Sequence, residues 1–152
     1  MTPITDPAMS SHLADDARSD GVHQLVVGAV IANDGHVLLL RRLESDFMGG
    51  IYELPSGKVE PGETLDTALR REVQEETGLD VATIDGYLGS FDYTSANGKK
   101  SRQFNFTTSV TVIRPVRLQE HDTYLWAPPA AETPVTDAVK NVLANYVQAV
   151  AG

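Results

Sequence analysis

The chain has no cysteine among its 152 residues. That absence excludes disulfides and thiolate metal sites. It is compatible with a reducing compartment, and a cytoplasmic location is the expectation. Cations are scarce: 12 Lys and Arg stand against 21 Asp and Glu, for a formal net charge of −9. Such a balance excludes a broad basic surface for DNA or RNA polymers. A small phosphate ester still fits, provided metal ions and a few local cations screen the field. No apolar run approaches the roughly 18 residues of a membrane-spanning helix. The N-terminus has neither the basic nor the apolar region of a signal peptide, so no membrane partner is expected. Hydrophobic content of 41% and charged content of 22% are ordinary for a globular protein. The length suits a single domain with a real core.

What is present concentrates in one stretch, Gly57 to Leu79, GKVEPGETLDTALRREVQEETGL. It reads as a loop bearing Gly and Pro, a short helix and a glycine stop. Thr64 suits the N-cap, where its hydroxyl accepts from a free backbone N–H. Asp66 puts negative charge near the positive helix end, and Gly78 suits C′, where φ is positive. At about 100° per residue, Leu65, Leu69 and Val73 share a face with Glu72 and Glu76, and Glu75 lies at its edge. Carboxylates therefore project from the side the helix should bury, beside the negative end of its dipole. Burying clustered carboxylates costs several kcal/mol per charge unless something compensates. A hard divalent cation with oxygen ligands is the natural compensator. On spacing alone, a solvated acidic helix end is the plainer alternative.

The stretch resembles the Nudix box, G-x5-E-x7-R-E-U-x-E-E-x-G-U, where U is a bulky aliphatic. Gly57, Glu63, Arg71, Glu72, Val73, Glu75, Glu76, Gly78 and Leu79 fill every fixed position in register. Upstream, VLLLRR and YELPSGKVEPGE are similar to MutT-type members, although Ser56 stands where many members have a second glycine. The resemblance weakens after Leu79. It implies an α+β fold, the Nudix α/β/α sandwich, with a mixed β-sheet, a loop–helix–loop catalytic motif and a C-terminal helix. It further implies metal-dependent hydrolysis of a diphosphate linkage in a nucleoside diphosphate derivative. Mg²⁺ is the expected cofactor, with Mn²⁺ as a substitute. The Gly57 carbonyl, Glu72 and Glu76 would hold metal, with Glu75 sharing ligation. The general base is Glu72, Glu75 or Glu120, and family members differ on which. Arg71 would orient the glutamates by ion pairs, and Glu63 would do the same or ligate through water. Arg42 would reach substrate phosphate, with Lys58 a further phosphate contact or a solvated lysine. A nucleoside triphosphate is the leading substrate. ADP-ribose or another nucleotide sugar is the alternative, and a non-catalytic nucleotide-sensing module is a third reading. Family members often dimerise, so a homodimer is a further expectation. Isoprenoid diphosphate isomerisation on the same fold needs a cysteine that this chain lacks.

Residues 1–20 are polar and acidic without an apolar period, which predicts a flexible tail ahead of a domain over 21–152. Gln24 to Ala32 reads as a buried strand, Asn33-Asp34-Gly35 as a hairpin turn, and His36 to Arg42 as the returning strand. Arg41 and Arg42 point to opposite faces, one toward solvent and one toward a cleft. Phe47 and Met48 are too apolar for a plain surface loop and either pack down or line a pocket. Ile51 to Leu54, Asp80 to Ile84 and Gly86 to Thr94 read as strands, with a second hairpin tip at Asn97-Gly98. Lys99, Lys100 and Arg102 form an edge-strand charge cluster or a phosphate-facing arm. From Arg102 to Val112 strict alternation predicts a half-buried antiparallel strand, and Phe104 and Gln103, on opposite faces, are both candidates for base contact. Glu120-His121-Asp122 lies in a loop before Trp126, which reads as structural. The four histidines show no metal-ligand spacing. Thr133-Pro134 reads as N-cap and first residue of a closing helix that carries Val135, Val139, Val142, Leu143 and Tyr146.

Overall fold

The computed structural model describes residues 7–43 and 49–151. Phe47 and Met48 lie outside the described residues. The order is α1 (Pro7–Ser19), β1 (Gln24–Asn33), β2 (His36–Arg42), β3 (Tyr52–Glu53), β4 (Ser56–Lys58), α2 (Leu65–Thr77), β5 (Val81–Thr94), β6 (Lys100–Val110), β7 (His121–Ala127) and α3 (Asp137–Ala151).

β1 organises the sheet. One of its edges pairs in parallel with β6 from Gln24 to Ile31. The other pairs antiparallel with β4 over Val26–Gly28 and with β2 only at the hairpin tip, Ala32 and Asn33. β5 extends the sheet beyond β6, while β2 carries β3 and β7. The strand groups β4-β1-β6-β5 and β3-β2-β7 thus share little beyond one hairpin, and a cleft opens between them. Two apolar clusters fill the two sides. One joins α1 and α2 to the sheet through Ala17, Leu65, Leu69, Val73, Phe104 and Phe106. The other joins α3 to it through Val139, Val142, Leu143, Tyr146, Leu39 and Leu54. This is the α/β/α sandwich with a mixed sheet.

Several sequence expectations need correction. The tail expected over residues 1–20 is helical from Pro7 to Ser19. Its docking face is small, with Ala17 fully buried and Leu13 partly so, and it adds a polar tie: the Ser10 hydroxyl accepts from the Leu65 backbone N–H at 2.9 Å. The loop expected from Gly57 onward opens in the short strand β4, Ser56–Lys58. The two strands expected over Asp80–Ile84 and Gly86–Thr94 are one bulged strand, β5. β6 is buried on both faces rather than half-buried, because layers cover both sides of a central strand. Its polar alternates, Gln103, Asn105 and Thr107, are interior groups, while Val112 lies past the strand end and is 62% exposed. His121, expected in a loop, begins β7. α3 starts later than expected. Thr136, not Thr133, accepts from the Val139 backbone N–H, and the Pro134 carbonyl instead accepts from the Tyr52 N–H at 2.8 Å.

Candidate active site

α2 is positioned as its sequence demands. Thr64 caps it through the Thr67 backbone N–H, and Gly78 ends it at φ 74°. Leu65, Leu69 and Val73 enter the core, which turns Glu72 and Glu76 toward β4. A Cβ built on Gly57 would fall on the Glu72 carboxylate, so a side chain at this position and that carboxylate exclude each other.

Arg71 gathers the acidic groups. Its Nε and Nη2 donate to the two Glu63 carboxylate oxygens, both at 2.8 Å. Its Nη2 also donates to the Lys58 carbonyl at 2.9 Å, and its Nη1 donates to Glu72 at 2.7 Å and to Glu75 at 3.1 Å. The Arg71 hydrogen bond holds the Glu63 carboxyl down at about 2. Glu63 in turn raises the already high Arg71 pKa further.

Glu76 has no such cation. Its Oε2 accepts from the Ser56 backbone N–H at 3.4 Å, and no ion pair forms on it among the described residues. Burial pushes its carboxyl up to about 9, and the negative charges of Glu72, Glu53 and Glu120 add to that shift. Burial also raises Glu72, against the pull of Arg71. Among the described residues no three carboxylate or imidazole groups are drawn together to metal-binding distance. Glu72 and Glu75 lean on Arg71 instead. The donor chemistry nevertheless suits a hard divalent cation: Glu76 is a raised carboxyl with no ion pair among the described residues, and Glu72 lies against a backbone site without a side chain.

A cleft of about 970 Å³ adjoins these groups, lined among others by Arg42, Glu53, Ser56, Glu76, Phe91 and Gln103. Arg42 turns into it and donates to Glu53 at 3.3 Å, whereas Arg41 pairs outside with Asp122. Glu120 is exposed at its rim. Lys58 is not brought here. It is exposed and lines a separate groove of about 560 Å³ beside α1, with Arg18, Glu60 and Lys99. Of the expected cation cluster, Arg102 is engaged by the Asp92 and Asp20 carboxylates and Lys100 by the Asp20 backbone carbonyl. Of the two base-contact candidates, Gln103 faces the cleft and Phe104 the core.

Sequence reasoning missed two features. His121, set aside with the other histidines, is buried and pairs its Nε2 with Glu53 Oε1 at 2.7 Å. Its buried Nδ1 has no partner among the described residues. The register of β2 with both β3 and β7 makes this contact, and no sequence period reports it. Asn105, read only as one of the alternating residues, forms a side-chain pair with Gln103.

The family model described as the NUDIX domain matches residues 22–146. The chain belongs to the NUDIX domain family. The CTP pyrophosphohydrolase of Escherichia coli (strain K12) is 43% identical over 65 residues, 43% of this chain and 47% of that protein. The ADP-ribose pyrophosphatase of Methanocaldococcus jannaschii is 39% identical over 67 residues, 44% of this chain and 38% of that protein. The chain thus spans about half the length, or less, of these curated relatives. A crystal structure of a MutT protein from Methanosarcina mazei Go1 superposes at a TM-score of 0.72 with 29% identity, covering 86% of this chain and 97% of that one. The family match extends on both sides of the box helix, so this NUDIX chain carries the family's sheet together with its acidic helix.

Proposed function

We propose that this protein is a metal-dependent hydrolase of a diphosphate linkage in a nucleoside diphosphate derivative. A nucleoside triphosphate, cut to monophosphate and pyrophosphate, is the leading substrate. The observation that carries this is Glu76, a raised carboxyl with no cation partner among the described residues, beside Glu72 and the bare backbone of Gly57. Gly57, Glu72, Glu75 and Glu76 would hold the ion. A bound divalent cation, Mg²⁺ with Mn²⁺ as substitute, would supply neutralisation of the diphosphate oxygens and a more acidic attacking water. The chain's own residues supply the rest. Glu72, Glu75 or Glu120 takes the water proton as the new P–O bond forms and the anhydride P–O bond breaks. Arg71 fixes Glu72 and Glu75, and Arg42 reaches phosphate from the cleft wall. Lys58, which lines a different groove, is set aside as a substrate contact. The Methanocaldococcus relative supports a second reading, ADP-ribose or another nucleotide sugar. No helix among the described residues is long and apolar enough to cross a membrane. A small nucleotide in the cytoplasm is the partner this reading requires.

The test is release of phosphate or pyrophosphate from a panel of nucleoside triphosphates, ADP-ribose, nucleotide sugars and dinucleoside polyphosphates. Each is assayed in Mg²⁺ with and without chelator. Metal-dependent turnover of the triphosphates is expected. Turnover of ADP-ribose alone moves the reading to the alternative. No turnover, joined to a ligand-induced rise in melting temperature, replaces it with nucleotide sensing.

A further inference from the structure

We infer that Glu53 and His121 are positioning residues that hold Arg42 in place for a substrate phosphate. The inference rests on the hydrolase reading above and adds the residues that aim its phosphate contact.

The strand register assembles the three side chains. Glu53 of β3 stands opposite Leu40 of β2, so it shares a face with Arg42. On the other edge of β2, Thr123 of β7 stands opposite Arg41. Unbroken pairing would then set Asp122 opposite Arg42. A break in register between Arg41 and Arg42 sets His121 there instead, re-aiming a side chain as strand bulges do. The displaced Asp122 pairs outside with Arg41 at 3.3 Å. Arg42, Glu53 and His121 all line the cleft.

Glu53 spans the other two. Its Oε1 meets His121 Nε2 at 2.7 Å, and its Oε2 accepts from Arg42 Nη1 at 3.3 Å. A carboxylate only accepts, so the proton of the first contact sits on His121 Nε2. Each carboxylate oxygen has its own partner, and turning the group toward one disturbs the other. The anchor is the His121 side chain, 5% exposed, whereas Glu53 and Arg42 both reach solvent. For packing alone a phenylalanine would serve better. The buried Nδ1 has no partner among the described residues, and an unpaired buried nitrogen costs free energy. Glu76 and Glu120 line the same cleft. An arginine free to turn to them would cover the acidic centre instead of standing beside it. Glu53 keeps Arg42 on the β2 wall through one nitrogen of a fork that suits bidentate phosphate contact.

The test uses Glu53→Gln, His121→Phe and His121→Gln, each with and without Arg42→Ala. Methylenediphosphonate in Mg²⁺ is the binding probe, since it carries a diphosphate unit and no base, and its Kd is read by calorimetry. KM and kcat are read on the common ribonucleoside triphosphates and ADP-ribose. Glu53→Gln leaves an acceptor on only one side of the group, and His121→Phe removes the anchor. Each should raise Kd and KM about 10-fold, the worth of a charge-assisted hydrogen bond, with kcat within about threefold. His121→Gln, which keeps an N–H donor near the same place, should recover most of that loss. In the Arg42→Ala background neither Glu53→Gln nor His121→Phe should add more than about twofold, because their effect runs through Arg42. The Arg42 Nε–Hε signal, assigned by its loss in Arg42→Ala, should show by ¹⁵N relaxation an ordered side chain in the wild type and a mobile one in Glu53→Gln. Unchanged Kd and KM, losses confined to kcat, or effects that survive in full without Arg42 overturn the inference. A wild-type Arg42 side chain as mobile as the exposed Arg114 overturns it even where a variant fails to fold. Diphosphonate binding coupled to Arg42 in this way, without turnover of any nucleotide, removes the hydrolase reading and leaves this inference standing. Turnover without that coupling does the reverse, and absence of both binding and turnover removes both.

Discussion

At neutral pH and without a cation, the Glu76 carboxyl, raised to about 9 by burial, holds a proton that an ordinary glutamate has lost. A metal ion binding there displaces that proton. Cation binding at pH 7 should therefore release about one proton per ion, read by calorimetry in two buffers of different ionisation enthalpy. Glu76→Gln keeps the side chain's shape and its acceptor for the Ser56 N–H, so the circular dichroism spectrum should be unchanged. Turnover should fall by more than about 100-fold, beyond what is typical when only an outer partner of a metal site is lost. The proton release should vanish with it. Near-normal turnover in this variant would remove Glu76 from the site. Arg71 explains why the same outcome is not expected of Glu63, whose charge is already neutralised by two hydrogen bonds at 2.8 Å.

Among the elements, α1 and α2 are coupled by one buried hydrogen bond, from the Leu65 N–H to Ser10 Oγ. Ser10→Ala leaves that helix-start donor unpaired, and urea denaturation should show a loss of about 1–2 kcal/mol. A loss too small to measure would mean that α1 does not hold the start of α2. The same two helices mark how far sequence reading reached. α2 was legible because its apolar period, its Thr64 cap and its Gly78 stop agree. α1 was not, because its buried positions are the small or polar residues Ala17 and Ser10, which leave no strong periodic signal. The alternation of β6 is legible, but it predicts half-burial where both faces are covered, and it leaves open which face lines the cleft. Period two separates faces without saying what covers them. The Glu53–His121 pair and the cleft position of Gln103 depend on strand register between distant segments, which a local pattern does not contain. Glu120 became a candidate only through family resemblance, and its entry into the cleft rim is set by where β7 begins.

For the whole molecule, Glu63 and Glu76 give global stability opposite slopes on the two sides of pH 4.5. The unfolded chain protonates Glu63 near its ordinary 4.5, while the folded protein keeps it ionised down to about 2. The stabilisation from Glu63 is therefore complete above 4.5 and lost as pH falls toward 2. Glu76 runs the other way. Between 4.5 and about 9 the folded, metal-free protein binds a proton that the unfolded chain has released. Stability falls as pH rises through that window, and the net charge of −9 adds repulsion in the same direction. Melting temperatures taken with chelator should thus peak on the acid side of neutrality and decline toward pH 9. Glu76→Gln should flatten the alkaline limb alone, and Glu63→Gln the acid limb alone. Adding Mg²⁺ should raise the wild-type melting temperature most at alkaline pH, where the ion competes with fewer protons for Glu76. Parallel curves for wild type and Glu76→Gln between pH 5 and 9 would mean that Glu76 ionises normally in the folded protein. The charge argument for a cation at this helix would then fall with it.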